Sequence, residues 1–186
     1  MRLFEKPIIV EIPTKKIYLA KEFANAVVKT VNYNDCDQYK RTKIENDHFI
    51  SKLGEEAVYL VFSKYTTDII KPDYTIYVGD YKSWSPDLTI NKIPLAVKTQ
   101  KTSASKKYGL SWTFQFSIAR KDPLLLQPEQ WVCFVECDDL NNFLSKVFPP
   151  VQIKQLQFRE PVLQYLKGKK KVIYYSDLKN CVEGIQ

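Results

Sequence analysis

The sequence predicts an α/β fold: a mixed central sheet flanked by helices, with an N-terminal helical portion. Apolar residues recur at helical spacing through residues 15–65, and short β-branched and aromatic runs follow Pro72. An apolar strand at Trp131–Cys137 adds a buried sheet element. Helices followed by strands and mixed elements are typical of α/β or α+β domains. The length of 186 residues suits a single domain, residues 1–186, with residues 1–70 as a mainly helical lead-in and 71–186 as a strand-rich core with C-terminal elements.

Two helices are predicted in the lead-in. Residues 1–14 resemble an arm or a short strand, and residues 15–31 carry apolar side chains at helical spacing. A second helix is predicted at about residues 38–65, and its later part is strongly apolar. Gly54 inside this helix indicates either a break or a point of close packing.

The strand-rich part begins with three short predicted strands at residues 73–78, 87–90 and 94–100. Asn91-Lys92 between the last two suits a tight hairpin turn. Residues 101–107 are polar and predict a loop, whereas residues 110–118 fit either a strand or a short helix. The remaining predicted elements are a strand at 131–137, a short helix capped by Asp139 and running through Lys146, a strand at 151–158, a helical piece near 163–166 and a strand at 171–175.

Composition limits the classes of function. The net charge of +7 favours a polyanionic partner, although a solvated lysine-rich surface gives the same number. Neither G-x-x-x-x-G-K-[ST] nor G-x-G-x-x-G occurs, which excludes those two routes to nucleotide binding. The four cysteines fit neither a zinc knuckle nor a dense disulfide framework, so a reducing compartment is expected.

The expected location is the cytoplasm of a bacterial host, for a protein encoded by the bacterium or by a phage. No signal peptide pattern is visible, and no apolar stretch approaches the roughly 18 residues of a membrane span. No membrane partner is therefore expected. The lysine-, asparagine- and tyrosine-rich composition suits an AT-rich bacterial or phage genome.

The stretch from Ser85 to Gln100 concentrates chemically useful side chains. On the strand 94–100, Ala96, Lys98 and Gln100 share one face because side chains alternate along a strand. A turn at Asn91-Lys92 brings Asp87 on the first strand near the segment from Ala96 to Lys98. A carboxylate, a lysine and an amide then converge beside one strand end. Since an unpaired buried lysine is costly, this face is either wet or holds an anion.

This layout resembles the active centre of the PD-(D/E)XK nucleases, the restriction-endonuclease-like superfamily. Pro86-Asp87 matches the first half of their motif and Val97-Lys98 matches the second. The family also has a helix ahead of the hairpin that supplies a further glutamate, and residues 53–58 fit that helix, with Glu56 preferred over its neighbour. The resemblance covers roughly residues 50–140 and implies a restriction-endonuclease-like core.

The resemblance implies Mg²⁺-dependent hydrolysis of DNA phosphodiesters, with Mn²⁺ as a substitute metal. Asp87, an acid at position 96 and the backbone carbonyl of Val97 would hold the metal, a hard ion that prefers oxygen ligands. Lys98 would orient the water and offset charge, and Gln100 would be an orienting amide. Here position 96 is Ala96, and a methyl group binds no metal. Three explanations stay open: a substituted form of a protein whose natural residue is glutamate, a migrated acid with Glu56 or Gln100 completing the site, or a relative that binds without cutting.

Several residues beyond the motif are candidates for DNA contact. They are Lys101, Lys106, Lys107, Trp112, Gln115, Lys169 and Lys170. Trp112 fits the core at least as well as base stacking, and the run of residues 167–171 equally fits a solvated loop.

The expected function is a DNA endonuclease of restriction or homing type. The alternatives are a Holliday-junction resolvase, a DNA-binding relative that does not cut, and a protein-interaction domain. Single-domain nucleases of this kind often act as dimers, so a homodimer through the N-terminal helices is a further expectation.

Overall fold

The computed structural model describes residues 1–30, 40–77, 86–118 and 121–178. Two long helices form the N-terminal portion: α1 (Thr14–Val27) and α2 (Arg41–Phe62). Both helices are confirmed, and both are shorter than predicted within the described residues. The later turns of α2 are buried because its apolar residues repeat at helical spacing, as in Leu53, Ala57 and Val61.

Among the described residues, the main sheet has seven strands of mixed orientation, which confirms the α/β class with a mixed central sheet. The strands are β1 (Ile8–Val10), β2 (Ile69–Ile70), β3 (Leu88–Ile90), β4 (Ile93–Lys101), β6 (Trp131–Cys137), β7 (Ser145–Val147) and β8 (Val151–Gln152). Their order in the sheet is β1-β7-β6-β4-β3-β2, with β8 also paired to β6. Only the central pair β4 and β6 is parallel among these described strands.

A separate two-stranded sheet pairs β5 (Ser111–Gln115) with β9 (Lys170–Tyr174) in antiparallel orientation. The stretch 110–118 thus forms a strand and not a helix. A short 3₁₀ segment, Pro123–Leu126, follows β5, and another at Gln164–Leu166 confirms the predicted helical piece there.

The hairpin of β3 and β4 has the predicted turn. Asn91 and Lys92 have φ angles of 49° and 62°, the left-handed values that a two-residue type I′ turn requires. The register pairs Ile90 with Ile93 and Leu88 with Leu95. Asp87 therefore comes directly before the paired part of β3, at the open end of the hairpin.

Two apolar clusters occupy the two faces of β4. One contains α2 together with Leu95 and Val97. The other contains Ala96 with Trp112 and Phe114 of β5. The alternation of side chains along β4 thus sends residues 95 and 97 toward the helices and residue 96 toward the small sheet.

Gly54 is a point of close packing and not a break, because α2 continues through it. A Cβ atom added at Gly54 would lie 1.8 Å from Oγ1 of Thr99 on β4. Only a residue without a side chain permits this approach of helix and strand.

Three predicted segments differ from the structure. The stretch 101–107 forms helix α3 (Thr102–Tyr108), not a loop. Asp139 does not cap a helix of its own: its carboxylate accepts hydrogen bonds from the amide and hydroxyl of Ser103, at 2.8 and 2.5 Å, in the first turn of α3. The chain after Asp139 turns through Asn142 and Phe143, which have positive φ, and returns as β7.

Two predicted strands are also wrong in extent. Residues 73–77 have no regular secondary structure, and residue 78 lies outside the described residues. The strand predicted at 151–158 is limited to β8 and is followed by a 3₁₀ segment at Ile153–Gln155. Within the described residues, no helix combines the length and apolar character needed to cross a membrane.

Candidate active site

The carboxylate of Asp87 binds the backbone of the opposite strand at the open end of the hairpin. The amide of Val97 donates a hydrogen bond to Asp87 Oδ2 at 2.7 Å. In an extended strand, the N–H and C=O of one residue leave the strand on the same edge. The Val97 carbonyl therefore points to the edge where Asp87 lies. The structure brings together these two of the three predicted metal ligands.

Charged neighbours surround this carboxylate. Burial raises the pKa of Asp87 above its ordinary value, and the Val97 amide, Lys98 and Lys52 partly oppose that increase. The negative charge of Asp122 raises the pKa of Asp87 further. A carboxyl group with a raised pKa beside both lysines and other acids is typical of functional sites, although structural ion pairs produce the same effect.

Of the two adjacent glutamates on α2, the structure directs Glu55 and not Glu56 toward this region. Burial, and next the charge of Asp87, raise the pKa of Glu55 to about 8, while Lys52 at 2.6 Å opposes the shift. Glu56 is fully buried elsewhere, where it accepts hydrogen bonds from Lys16 at 2.8 Å and from the Tyr74 hydroxyl at 2.9 Å. The sequence favoured Glu56, whereas the structure pairs its carboxylate with Lys16 and Tyr74; consecutive helix residues point about 100° apart, and the sequence left that register open.

Lys98 has a partner that the sequence did not suggest. Its Nζ donates to Asp122 Oδ2 at 2.6 Å and lies 4.8 Å from the centre of the Phe114 ring. Asp122 follows Lys98 by 24 residues and precedes Pro123, so its sequence context indicates only a cap for the 3₁₀ segment. An aspartate directly before a proline in the sequence does not show whether it caps a helix or belongs to a functional site.

The side chains at the other two motif positions, Ala96 and Gln100, make contacts within the fold. Ala96 is 8% exposed and packs among apolar side chains, so no oxygen ligand comes from this position. The Gln100 side chain donates to the Gly109 carbonyl at 3.3 Å and accepts from the Ser111 amide at 2.8 Å. Gln100 therefore joins β4 to the start of β5 and is not oriented as a free amide.

The predicted DNA-contacting residues divide into two groups. Trp112 is 2% exposed and its indole N–H donates to the Val135 carbonyl at 3.0 Å, so it packs in the core and offers no face to a base. Gln115 is half-buried where β5 pairs with Lys170 of β9. Lys106 and Lys107 are exposed in the last turn of α3.

The three remaining candidates are Lys101 and Lys170, which are half-buried, and Lys169, which is exposed. Lys101 Nζ lies 3.9 Å from the Asp139 carboxylate, a distance at the limit of an ion pair. Lys169 directly precedes β9, and its carbonyl accepts from the Phe116 amide at 2.8 Å. Trp84 and Ser85, which precede the motif, lie outside the described residues.

The residues at the open end of the hairpin offer oxygen atoms, the type of ligand that Mg²⁺ prefers. Within the described ranges, no group of three or more His, Cys, Asp and Glu side chains is placed to hold a metal ion. Mg²⁺ commonly needs only one or two carboxylates, with water and substrate phosphates as further ligands. Asp87, the Val97 carbonyl and the nearby Glu55 supply oxygen atoms of this kind.

Comparisons with family models, with curated proteins and with solved structures find no match. The geometry of the hairpin and the motif in the sequence are therefore the observations that bear on function.

Proposed function

We propose that this chain is a Mg²⁺-dependent DNA endonuclease with its active site at the open end of the β3–β4 hairpin. The observation that supports the proposal most strongly is the hydrogen bond from the Val97 amide to Asp87, 2.7 Å long, with Lys98 next along the strand. The net charge of +7 agrees with a polyanionic substrate. DNA as the substrate, and restriction or homing as the biological role, are parts of the proposal.

The proposal assigns a task to each residue. Asp87 and the Val97 carbonyl would hold Mg²⁺, which when bound supplies an activated water and neutralises charge on the phosphate. Lys98 would orient the attacking water and offset charge on the reacting phosphate. Glu55 replaces Glu56 as the supporting acid, because its carboxylate is the one that Asp87 influences.

The test is a cleavage assay on linear, supercoiled and four-way-junction DNA with Mg²⁺ or Mn²⁺. Asp87→Asn is expected to lower the rate by at least about 100-fold, since it removes the anionic ligand and keeps the side-chain size. Asp68→Asn is the matched control, because Asp68 is exposed near the closed end of the hairpin, where its carbonyl accepts from the Asn91 amide. Its cleavage rate should equal that of the unaltered protein. Equal loss of activity in both variants, or none in Asp87→Asn, would contradict the assignment.

The substrate pattern also separates the biological roles. Preference for the four-way junction would identify a resolvase, whereas cutting of linear DNA at fixed positions would identify a restriction or homing enzyme. Direct linearisation of supercoiled plasmid, without accumulation of the nicked circle, would agree with a homodimer that cuts both strands.

A second candidate function is DNA binding without cutting, and Ala96 is the observation that favours it. A methyl group stands where the motif has an acid, and the apolar residues around it offer no other carboxylate at that position. If the chain binds DNA in a salt-dependent way and cuts none of the substrates with either metal, this second function replaces the first.

A further inference from the structure

Two contacts fix the position of the Lys98 ammonium group. It donates to Asp122 Oδ2 at 2.6 Å and lies 4.8 Å from the centre of the Phe114 ring. The Lys98 and Asp122 side chains are 26% and 11% exposed, so the pair is largely shielded from water. A lysine side chain has a flexible four-carbon stem, and its charge acts from wherever its partners hold it.

Asp122 is the rigid member of this pair. Its backbone amide donates to the Gln115 carbonyl at 2.9 Å, which ties it to the end of β5. Its Oδ1 accepts from the Leu124 amide at 3.2 Å and caps the 3₁₀ segment. One carboxylate oxygen is thus fixed by the backbone, and the other is directed at Lys98.

We propose that Asp122 is a positioning residue that acts through Lys98 and holds its ammonium group at the open end of the hairpin. The inference rests on the proposed function, because that function assigns Lys98 to the reacting phosphodiester. A lysine already paired with a carboxylate attracts DNA less than an unpaired one, so loss of the pairing should not weaken the binding of substrate. The loss should therefore appear in the chemical step.

Asp122→Asn separates charge from structure. Asparagine caps helices about as well as aspartate, so the variant keeps the 3₁₀ segment and loses only the ionic bond. We expect kcat to fall by about 100-fold, the scale of a small misplacement of a catalytic group, with KM nearly unchanged. Asp122→Glu keeps the charge and should recover part of kcat. Glu129→Gln is the control, because it removes an exposed carboxylate that pairs with Lys154 at 2.7 Å.

Acylation of lysines followed by mass spectrometry gives a readout that does not depend on cleavage. The rate at Lys98 should rise in Asp122→Asn and stay unchanged in Glu129→Gln, since a freed ammonium group spends more time in water. Unchanged kcat and unchanged Lys98 acylation in Asp122→Asn would overturn the inference and leave the proposed function standing.

Two further outcomes are distinguishable. Loss of kcat without a change in Lys98 acylation would also overturn the inference, because Asp122 would then act independently of Lys98. If no variant cuts DNA and Lys98 acylation still rises only in Asp122→Asn, the proposed function fails and the positioning of Lys98 by Asp122 is supported.

Discussion

At the scale of single residues, Gly54 determines how closely α2 approaches β4. A Cβ atom at this position would lie 1.8 Å from Oγ1 and 2.9 Å from Cβ of Thr99, a β-branched residue with little freedom to move. Because α2 carries Glu55 and β4 carries Lys98, this contact also sets the distance across the candidate active site.

Gly54→Ala is expected to lower the free energy of unfolding by about 2 kcal/mol. Overpacking costs up to about 3 kcal/mol, whereas alanine in a helix recovers about 1 kcal/mol relative to glycine. Chemical denaturation of Gly54→Ala, Thr99→Ala and the double variant measures the coupling. Thr99→Ala removes the atom at 1.8 Å, so Gly54→Ala should cost less in that background. An equal cost in both backgrounds would show that the Thr99 contact does not limit the packing.

Ala96→Glu tests whether the motif position still accepts an acid. The side chain at position 96 lies on the same face of β4 as Lys98, so a glutamate would approach the same edge of the site. Its carboxylate would also enter an apolar cluster, at a cost of about 2 kcal/mol or more. We expect lower stability in denaturation, and Mn²⁺ binding at least about tenfold tighter by calorimetry, since a second carboxylate completes an oxygen ligand set. Ala96→Gln is the uncharged control, with a side chain of the same size as glutamate. Equal Mn²⁺ affinity of the two variants would contradict the prediction.

The sequence predicts the residues that act within one local stretch and does not predict those that depend on tertiary packing. Asp87 and Val97 meet because a two-residue turn and strict alternation determine the hairpin register. The choice between Glu55 and Glu56 depends on the rotation of α2 over β4, which the close packing at Gly54 determines. Asp122 reaches Lys98 only because the 3₁₀ segment after β5 returns to β4, and no local pattern encodes that return.

At the scale of elements, the β3–β4 hairpin depends on a turn with one unfavourable residue. Lys92 has a φ of 62°, a left-handed value that costs an ordinary residue roughly 1–2 kcal/mol. Asn91 tolerates this region better, and its Oδ1 accepts a hydrogen bond from Thr66 at 2.6 Å. Relief of strain in this turn should therefore be possible at Lys92 without any change at the open end of the hairpin.

Lys92→Gly is expected to raise the free energy of unfolding by about 0.5 kcal/mol. The relief of left-handed strain exceeds the extra entropy that glycine gives the unfolded chain, which is about 0.4–1 kcal/mol. Lys92→Ala separates this effect from loss of the charge, because alanine keeps the strain. Urea denaturation of both variants provides the measurement, and a gain in Lys92→Ala equal to that in Lys92→Gly would rule out backbone strain as the cause.

Two segments differ from their predicted structure because of contacts with residues outside those segments. Helix α3 carries no acidic residue in its first turn, but Asp139 from the end of β6 caps it through Ser103. The same use of Asp139 leaves the following segment without its predicted cap, and that segment forms a turn and β7. A long-range hydrogen bond thus reverses two local predictions at once.

At the scale of the whole molecule, the fold divides the lysines that carry the net charge of +7 into paired and unpaired groups. Lys16, Lys52 and Lys98 each pair with a buried or largely buried carboxylate, between 2.6 and 2.8 Å away. Lys106 and Lys107 are exposed and pair with no acid within the described part of the chain. Net charge is a property of the sequence, but this division is not, because partners such as Lys16 and Glu56 lie 40 residues apart.

The unpaired lysines of α3 are expected to dominate the salt dependence of DNA binding. Each lysine that contacts a phosphate contributes a slope of about −0.9 to the logarithm of affinity against the logarithm of salt concentration. Lys106→Ala and Lys107→Ala should each reduce the steepness by about 1 and weaken binding about equally for all DNA sequences. Fluorescence anisotropy with a labelled duplex at several NaCl concentrations measures both quantities. Lys154→Ala is the control, because Lys154 is already paired with Glu129 on the exposed surface. If all three variants keep the slope of the unaltered protein, α3 does not follow the phosphates, and the basic residues 167–171 become the surface to test next.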